Sequence, residues 1–411
     1  MTDPAPSLGG RATTAGTPRI INLRERARTF GVELSTAEVR LLRASNAGLR
    51  VIATGIDGRF DVEASQWVGT IVGPSTRFFI APKISIRRVL FLMGFLPGAV
   101  RFTQRTTLDF DNDLLAVTQY LYADALGRAL YGGLVRDYLP HRDDLSAPRG
   151  RIDALNVATR RFGVVPPVAC TFDEFTADTE ANRRLLAATR ALLRAWPIGS
   201  AATRLRALAA QFQDVTLLKY EPRALTPLHL NRRTERYAAA IGLADLVLRN
   251  ASIELRDGHT DAVGFLVDMD QTFERFVVDA LRDALSLDAR TWVHHPSGLA
   301  LDDAGSVAIE PDAVWFGTDG SPLLVVDAKY KVSEQGLNAD LYQMLAYTSA
   351  LGLRCGVLVY ANVEEHLHRV RHAGVEILTV ALDPDGEPDE VLLRVRTLAK
   401  RLRAIAAGPS P

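Results

Sequence analysis

Cysteine is nearly missing from this chain of 411 residues: Cys170 and Cys355 stand far apart, with no C-x-x-C. That spacing excludes a disulfide framework and a zinc knuckle, and it leaves two small buried hydrophobes. Net charge is missing too. The 48 Lys and Arg balance 48 Asp and Glu, so the molecule exerts no global attraction on nucleic acid, and any such contact has to be local or borrowed from a partner. Lysine is scarce, the basic residues being overwhelmingly Arg. Long apolar runs are absent: the longest, residues 89–100, is interrupted by Gly94, Pro97 and Gly98 and falls short of the roughly 20 residues of a membrane helix. The opening MTDPAPSLGGRATTAGTP is polar and rich in breakers, without the apolar centre of a signal peptide, and reads as a disordered tail. A cytoplasmic protein without a membrane partner is the expectation. No G-x-x-x-x-G-K-[ST] occurs, so no nucleotide is expected to bind this chain through a P-loop. His366, His368 and His372 lack the i, i+4 spacing beside a Glu that marks a zinc hydrolase helix, and they read as solvated or packed.

What is present concentrates in residues 307–331, VAIEPDAVWFGTDGSPLLVVDAKYK. Two runs of Val, Ile, Leu and aromatics, separated by Gly317, Asp319-Gly320 and Pro322, predict a β-hairpin with the Asp-Gly pair at its tip. With Asp319 and Gly320 as the turn residues, Asp312 falls across from Asp327, and Glu310 falls across from Lys329. Cross-strand partners lie roughly 5 Å apart and alternate residues share a face, so carboxylates and an ammonium converge on one patch. Mg²⁺ takes oxygen ligands, commonly one or two carboxylates with water and a phosphate. The pattern therefore points to metal-assisted hydrolysis of a phosphodiester. A surface ion pair of little energetic value is the plainer alternative. Against it, the run 323–326 is continuously apolar, which predicts a strand buried on both faces, where unpaired charge is costly. Lys329 and Lys331 are among the few lysines; a compact ammonium suits a metal-bound water better than the broad fork of Arg.

The flanking segments carry their own periods. Residues 268–287 place Met269, Phe273, Phe276, Val277, Ala280, Leu281, Ala284 and Leu285 at helical spacing. Residues 289–294 predict a short strand, which brings His294 or His295 near the face of the hairpin. Residues 338–351 predict a helix with Leu341, Leu345 and Thr348 on one stripe, and residues 355–360 and 375–382 two strands. This order around an Asp-x-Lys strand resembles the PD-(D/E)xK nuclease superfamily, whose α/β core is a helix, a three-strand meander, a second helix and a further strand. The resemblance implies that Glu274 helps hold a metal. It also implies that Gln343 and Tyr347, on one helix face at i, i+4, form the Gln-x-x-x-Tyr element of the RecB-like branch, which borders the active site and positions DNA.

The likeness narrows further. FLVDMDQTFERFV, IEPDAVWF, LLVVDAKYK and DLYQMLAYTSA, with FIAPKI at 79–84, GLVRDY at 133–138, RGRID at 149–153 and CTFDEFTADTEANRRLL at 170–186, together resemble the McrC family, the nuclease subunit of the McrBC 5-methylcytosine restriction system. The match runs over residues 69–382, with none before it. It implies an endodeoxyribonuclease that needs Mg²⁺, or Mn²⁺ in its place. Asp312, Asp327 and Glu274 would hold the metal, Lys329 would act on the nucleophile or the transition state, and Gln343 and Tyr347 would position the strand. It also implies docking on a hexameric AAA+ GTPase of the McrB type, whose translocation along foreign or methylated DNA triggers cleavage. Two rivals remain: a free-standing RecB-like DNA nuclease, and a non-catalytic regulator of an NTPase.

The expected organisation is a disordered tail (1–19), a β-rich N-terminal module (20–100), a mainly helical middle (101–260), the nuclease domain (261–403) and a frayed tail (404–411). In the module, residues 49–53, 67–72 and 77–80 read as strands, broken by Gly55, Gly58, Gly69 and Gly73; it is the candidate docking surface. In the middle, residues 113–139, 177–196, 201–212 and 232–248 carry helical spacing, with Asp178 or Thr179 as a cap. The pairs Arg160-Arg161, Arg183-Arg184 and Arg232-Arg233 are candidates to touch DNA or the partner, but read better as solvated helix or loop faces.

Overall fold

The structure, a computed structural model, describes residues 19–45, 48–73, 76–94, 113–161, 167–250, 263–330 and 334–407. Most of the expected N-terminal tail, Lys331 and the last four residues lie outside them. The chain opens with β1 (Arg19–Arg24), β2 (Arg28–Glu33), α1 (Thr36–Ala44), β3 (Arg50–Ala53), β4 (Arg59–Glu63), β5 (Trp67–Val72), β6 (Thr76–Ala81) and α2 (Ile86–Met93). All three expected strands are there as β3, β5 and β6. Ser35 starts α1 through a reciprocal capping box with Glu38, and Ser85 caps α2. Two sheets result. One is antiparallel in the order β2-β4-β3; the other runs β1-β6-β5 and takes a fourth strand from far along the chain.

The middle holds α3 (Leu114–Ala129), β7 (Asp137–Leu145), β8 (Arg151–Ile152), α4 (Ala154–Arg161), β9 (Val168–Thr176), α5 (Glu180–Ala195), α6 (Ser200–Ala209) and α7 (Ala238–Asn250). Thr179 caps α5, as expected. Among these helices stands a three-stranded sheet in the order β7-β9-β8, which the sequence did not foretell. β7 and β9 pair antiparallel from Asp137↔Thr176 to Leu145↔Val168. Sequence periodicity misses them because β7 is mostly exposed and polar, and because Pro140, which cannot donate to a ladder, sits on an edge strand where that loss is tolerated. The helix expected to reach residue 139 stops at Ala129. Arg232 and Arg233 are exposed, as expected, and the side chains of Arg160 and Arg161 lie outside the described residues, but Arg183 and Arg184 differ from the solvated reading. Arg184 is 4% exposed, bonded to Glu180 and Asp245, and Arg183 grips Asp178 with two nitrogens.

The last part comprises β10 (Val263–Asp268), α8 (Met269–Leu285), β11 (Trp292–His294), β12 (Ala313–Phe316), β13 (Pro322–Lys329), α9 (Glu334–Ala350), β14 (Cys355–Tyr360), β15 (His366–Arg369), β16 (Glu376–Ala381) and α10 (Pro388–Ala406). β10 is the strand that completes the N-terminal sheet, pairing antiparallel with β5. The chain then turns at once into α8, capped by Asp268. A six-stranded mixed sheet follows, ordered β11-β12-β13-β14-β16-β15. Helix, three antiparallel strands, helix and parallel strand thus succeed one another as the sequence predicted, while β15 and α10 were not foreseen.

Alternation along β13 decides what each face holds. Leu324, Val326 and Ala328 join the large core that includes residues of α8 and α10, whereas Val325 joins Val314, Met344, Tyr347, Leu358 and Tyr360 beneath α9. Leu324, Val325 and Val326 are fully buried, each worth about 1.5–3 kcal/mol of hydrophobic stabilisation. Among the described residues, no helix is long and apolar enough to cross a membrane.

Candidate active site

The site grows from the end of β13. Asp327 and Lys329 follow Val325 at the alternate positions that face α9. β12 pairs with β13 through Ala313↔Val326, Val314↔Val325 and Trp315↔Leu324, so the next positions outward are Asp312 and Asp327, the juxtaposition read from the sequence. The hairpin tip is wider than expected. Gly317 and Ser321 close a longer loop, with Gly317 N–H donating to the Ser321 carbonyl at 2.7 Å, and a bulge separates Trp315 from Phe316. The irregularity lies on the loop side of the ladder and leaves the aspartates in register. Glu310 does not reach its expected place across from Lys329. The strand begins only at Ala313, the Glu310 side chain is exposed, and its carbonyl accepts the Tyr347 hydroxyl at 3.1 Å.

Asp312 is 6% exposed and Asp327 1%. Asp312 accepts the Ala328 N–H at 2.6 Å, and Lys329 Nζ lies 2.5 Å from Asp327 Oδ2. Burial, then the charges of Asp327 and Glu274, pushes Asp312 up to about 8. Burial also raises Asp327, although the Lys329 ammonium pulls the other way. For Lys329, burial favours the neutral amine, but the carboxylates of Asp327, Asp312 and Asp340 together more than offset it and hold the group at about 12. The site therefore crowds poorly solvated carboxyl groups around one firmly charged lysine. Glu274, on α8, acts electrostatically on both aspartates and lies 3.4 Å from His294 Nε2 and 2.9 Å from His295 Nε2. Opposite, Gln343 donates to the Tyr347 hydroxyl at 2.8 Å, so the two i, i+4 residues of α9 form one hydrogen-bonded chain to Glu310.

The family model described as "McrBC 5-methylcytosine restriction system component" matches residues 62–361. The chain belongs to that family. Every site residue named above falls inside the matched span. Among solved structures, the chain resembles one from the refined half-complex of the tetradecameric assembly of Thermococcus gammatolerans McrB AAA+ hexamers with bound McrC. There the TM-score is 0.56 at 17% identity, over 92% of this chain and 99% of that one. The cryo-EM structure of the Thermococcus gammatolerans McrBC complex also matches, with a TM-score of 0.43 at 20% identity, over 65% of this chain and 88% of that one. At these identities, the first likeness speaks for a shared fold. No curated protein matches the chain.

In this McrBC family member, two features of the site escaped the sequence reading. Asp340 on α9 accepts the Tyr360 hydroxyl at 2.8 Å, and its charge acts on both Asp327 and Lys329. Its signal was available: Asp340 lies three residues before Gln343 and seven before Tyr347, which places it on the same helix face. The second is the way both His294 and His295 turn to Glu274, which adjacent residues achieve because His295 adopts φ 46° in the left-handed region. Sequence spacing alone does not disclose that backbone.

Proposed function

We propose that this McrBC family chain is the DNA-cleaving subunit of a modification-dependent restriction system, a metal-dependent endodeoxyribonuclease of the PD-(D/E)xK type. It would work docked on an AAA+ GTPase of the McrB type. The observation that carries the reading is the convergence of Asp312, Asp327 and Lys329 at the end of two central strands, beside Glu274. The donor set fits a hard divalent ion: two nearly buried carboxylates are held above the ordinary carboxylate range, a strain that a cation relieves. Asp312 and Asp327 would hold Mg²⁺, with Glu274 nearby. When bound, Mg²⁺ supplies Lewis-acid polarisation of the scissile phosphate and acidifies a water.

The chain's own groups do the rest. Lys329 stays an ammonium at neutral pH and is placed to donate to a phosphate oxygen or the incoming nucleophile, a contribution worth a few kcal/mol in the transition state. The Ala328 N–H fixes the Asp312 carboxylate. Gln343 and Tyr347 fasten the segment that carries Pro311 and Asp312, and they border the path of a DNA strand. The neutral net charge agrees with DNA being delivered by the partner rather than captured by this chain.

The test is cleavage of methylated DNA by the purified chain with Mg²⁺, with and without the GTPase and GTP. Cleavage only in the complete mixture, lost in Asp327→Ala and Lys329→Ala while GTPase stimulation persists, is expected. Cleavage by the chain alone would replace the motor-dependent reading with a free-standing nuclease, and loss of both activities in the variants would make these residues structural.

A further inference from the structure

We propose that Tyr330 and Arg26 are positioning residues of the nuclease reaction: the turn between β1 and β2 reaches across from the N-terminal module and braces the strand end that carries Lys329. The inference rests on the nuclease reading and adds to it a support from outside the catalytic half. Tyr330 follows Lys329 directly. Neighbouring residues of a strand point to opposite faces. Lys329 therefore turns toward α9, whereas the Tyr330 ring packs against the core that includes α8, 5.8 Å from the Phe273 ring. Its hydroxyl lies within electrostatic reach of Glu25, Arg26 and Asp270; burial above all, then the Glu25 carboxylate, pushes it up and keeps it protonated. Arg26 bonds Asp270 in the first turn of α8. Asp270 precedes Glu274 by four residues, one turn along the same helix face.

A passing contact between two modules accounts poorly for this arrangement. Glu25 is only 1% exposed, and its Oε2 accepts the Lys83 backbone N–H at 3.0 Å. Among the described residues, Glu25 Oε1 and Arg26 Nε find no hydrogen-bond partner, although both are buried and lie 3.8 Å apart. Leaving buried polar groups unsatisfied is costly. Arg26 also takes φ 51°, in the left-handed region that a residue with a Cβ seldom visits. Strain of this kind persists where the surroundings over-determine it, and it gathers at functional sites. The surroundings here do so. Glu25 N–H donates to the Ala81 carbonyl and Arg26 N–H to the Ser65 carbonyl, each at 2.9 Å, and Met269 N–H, at the start of α8, donates to the Gln66 carbonyl at 3.2 Å. The turn, the approach to β5 and the start of α8 thus form one hydrogen-bonded knot, and Tyr330 leans on its charged side chains.

The test is steady-state cleavage of methylated DNA by the full chain with the GTPase, GTP and Mg²⁺, with GTPase stimulation and melting curves measured beside it. Arg26→Gln, Asp270→Asn and Tyr330→Leu should each lower kcat about tenfold, while KM for DNA and GTPase stimulation stay at the parent level, a split that marks a loss in the transition state rather than in binding. Arg26→Lys, which keeps a charge for Asp270, should recover most of the loss. The double variant Arg26→Gln/Asp270→Asn should be no slower than either single variant, because both remove the same bond. Asp270 is partly exposed, so its variant and Arg26→Gln decide the matter even where Tyr330→Leu fails to fold. Parent-like kcat in folded Arg26→Gln and Asp270→Asn, or losses that add in the double variant and follow its melting temperature, overturns the proposal. A parent chain that stimulates the GTPase and cleaves nothing sinks the nuclease reading, and this proposal with it.

Discussion

At the scale of single residues, the site is built from groups that fit each other badly unless something joins them. Asp312 and Asp327 repel across a strand pair from which water is largely excluded, and Asp312 feels Glu274 as well. Such crowding costs stability in the protein without a cation, a familiar exchange of stability for function. Asp312→Asn removes a carboxyl group that burial strains, while its amide oxygen can still accept the Ala328 N–H. The variant in the presence of a chelator should therefore melt about 2 °C above the parent, equivalent to roughly 1 kcal/mol, and should cleave no DNA. A lower melting temperature would mean that the carboxylates are stabilised by Lys329 rather than strained.

Elements set how far this was legible in the sequence. The aspartate register was readable because strand alternation has a period of two and the bulge falls between the loop and Trp315. The buried strand, α8 and α9 were readable from their apolar periods, but β7 and β9 were not. Their pairing joins residues as far apart as Asp137 and Thr176, with Tyr138 and Phe175 packing ring to ring on an exposed face. On α9, Gln343 and Tyr347 were found as a motif, but what they fasten was hidden until the Tyr347 hydroxyl was seen to reach the Glu310 carbonyl. Tyr347→Phe keeps the ring that packs under the sheet and deletes that tether. It should leave the melting temperature within a degree or two and lower both Mg²⁺ affinity and cleavage by about tenfold, as loss of an outer support does. Parent-like metal binding with lost cleavage would instead assign the hydroxyl to DNA.

The whole molecule is joined through a sheet, where the sequence suggested that a helical middle region joins the N-terminal module to the catalytic half. β10 lies in the N-terminal sheet, and Asp268, its last residue, also caps α8, which carries Glu274. Val68 and Val267, on the paired strands β5 and β10, belong to the same core as Phe273 and Phe276 of α8. The seam between the strands is close. Gly69, read from the sequence as a break between strands, sits inside β5 at φ 128°, and a Cβ there would stand within 2.1 Å of the Phe265 carbonyl oxygen. Only glycine permits that approach of two backbones. Because the obstacle is backbone rather than a flexible side chain, Gly69→Ala cannot be absorbed by a rotamer change and should cost about 3 kcal/mol or more. If the seam couples the proposed docking module to the nuclease, this substitution should do more than destabilise. Limited proteolysis should release the paired strands β5 and β10 faster than in the parent, and the surviving fold should lose GTP-dependent cleavage while still binding Mg²⁺ at the Asp312–Asp327 pair. Cleavage kept at the parent rate in a folded Gly69→Ala protein would show that the two halves need no such coupling.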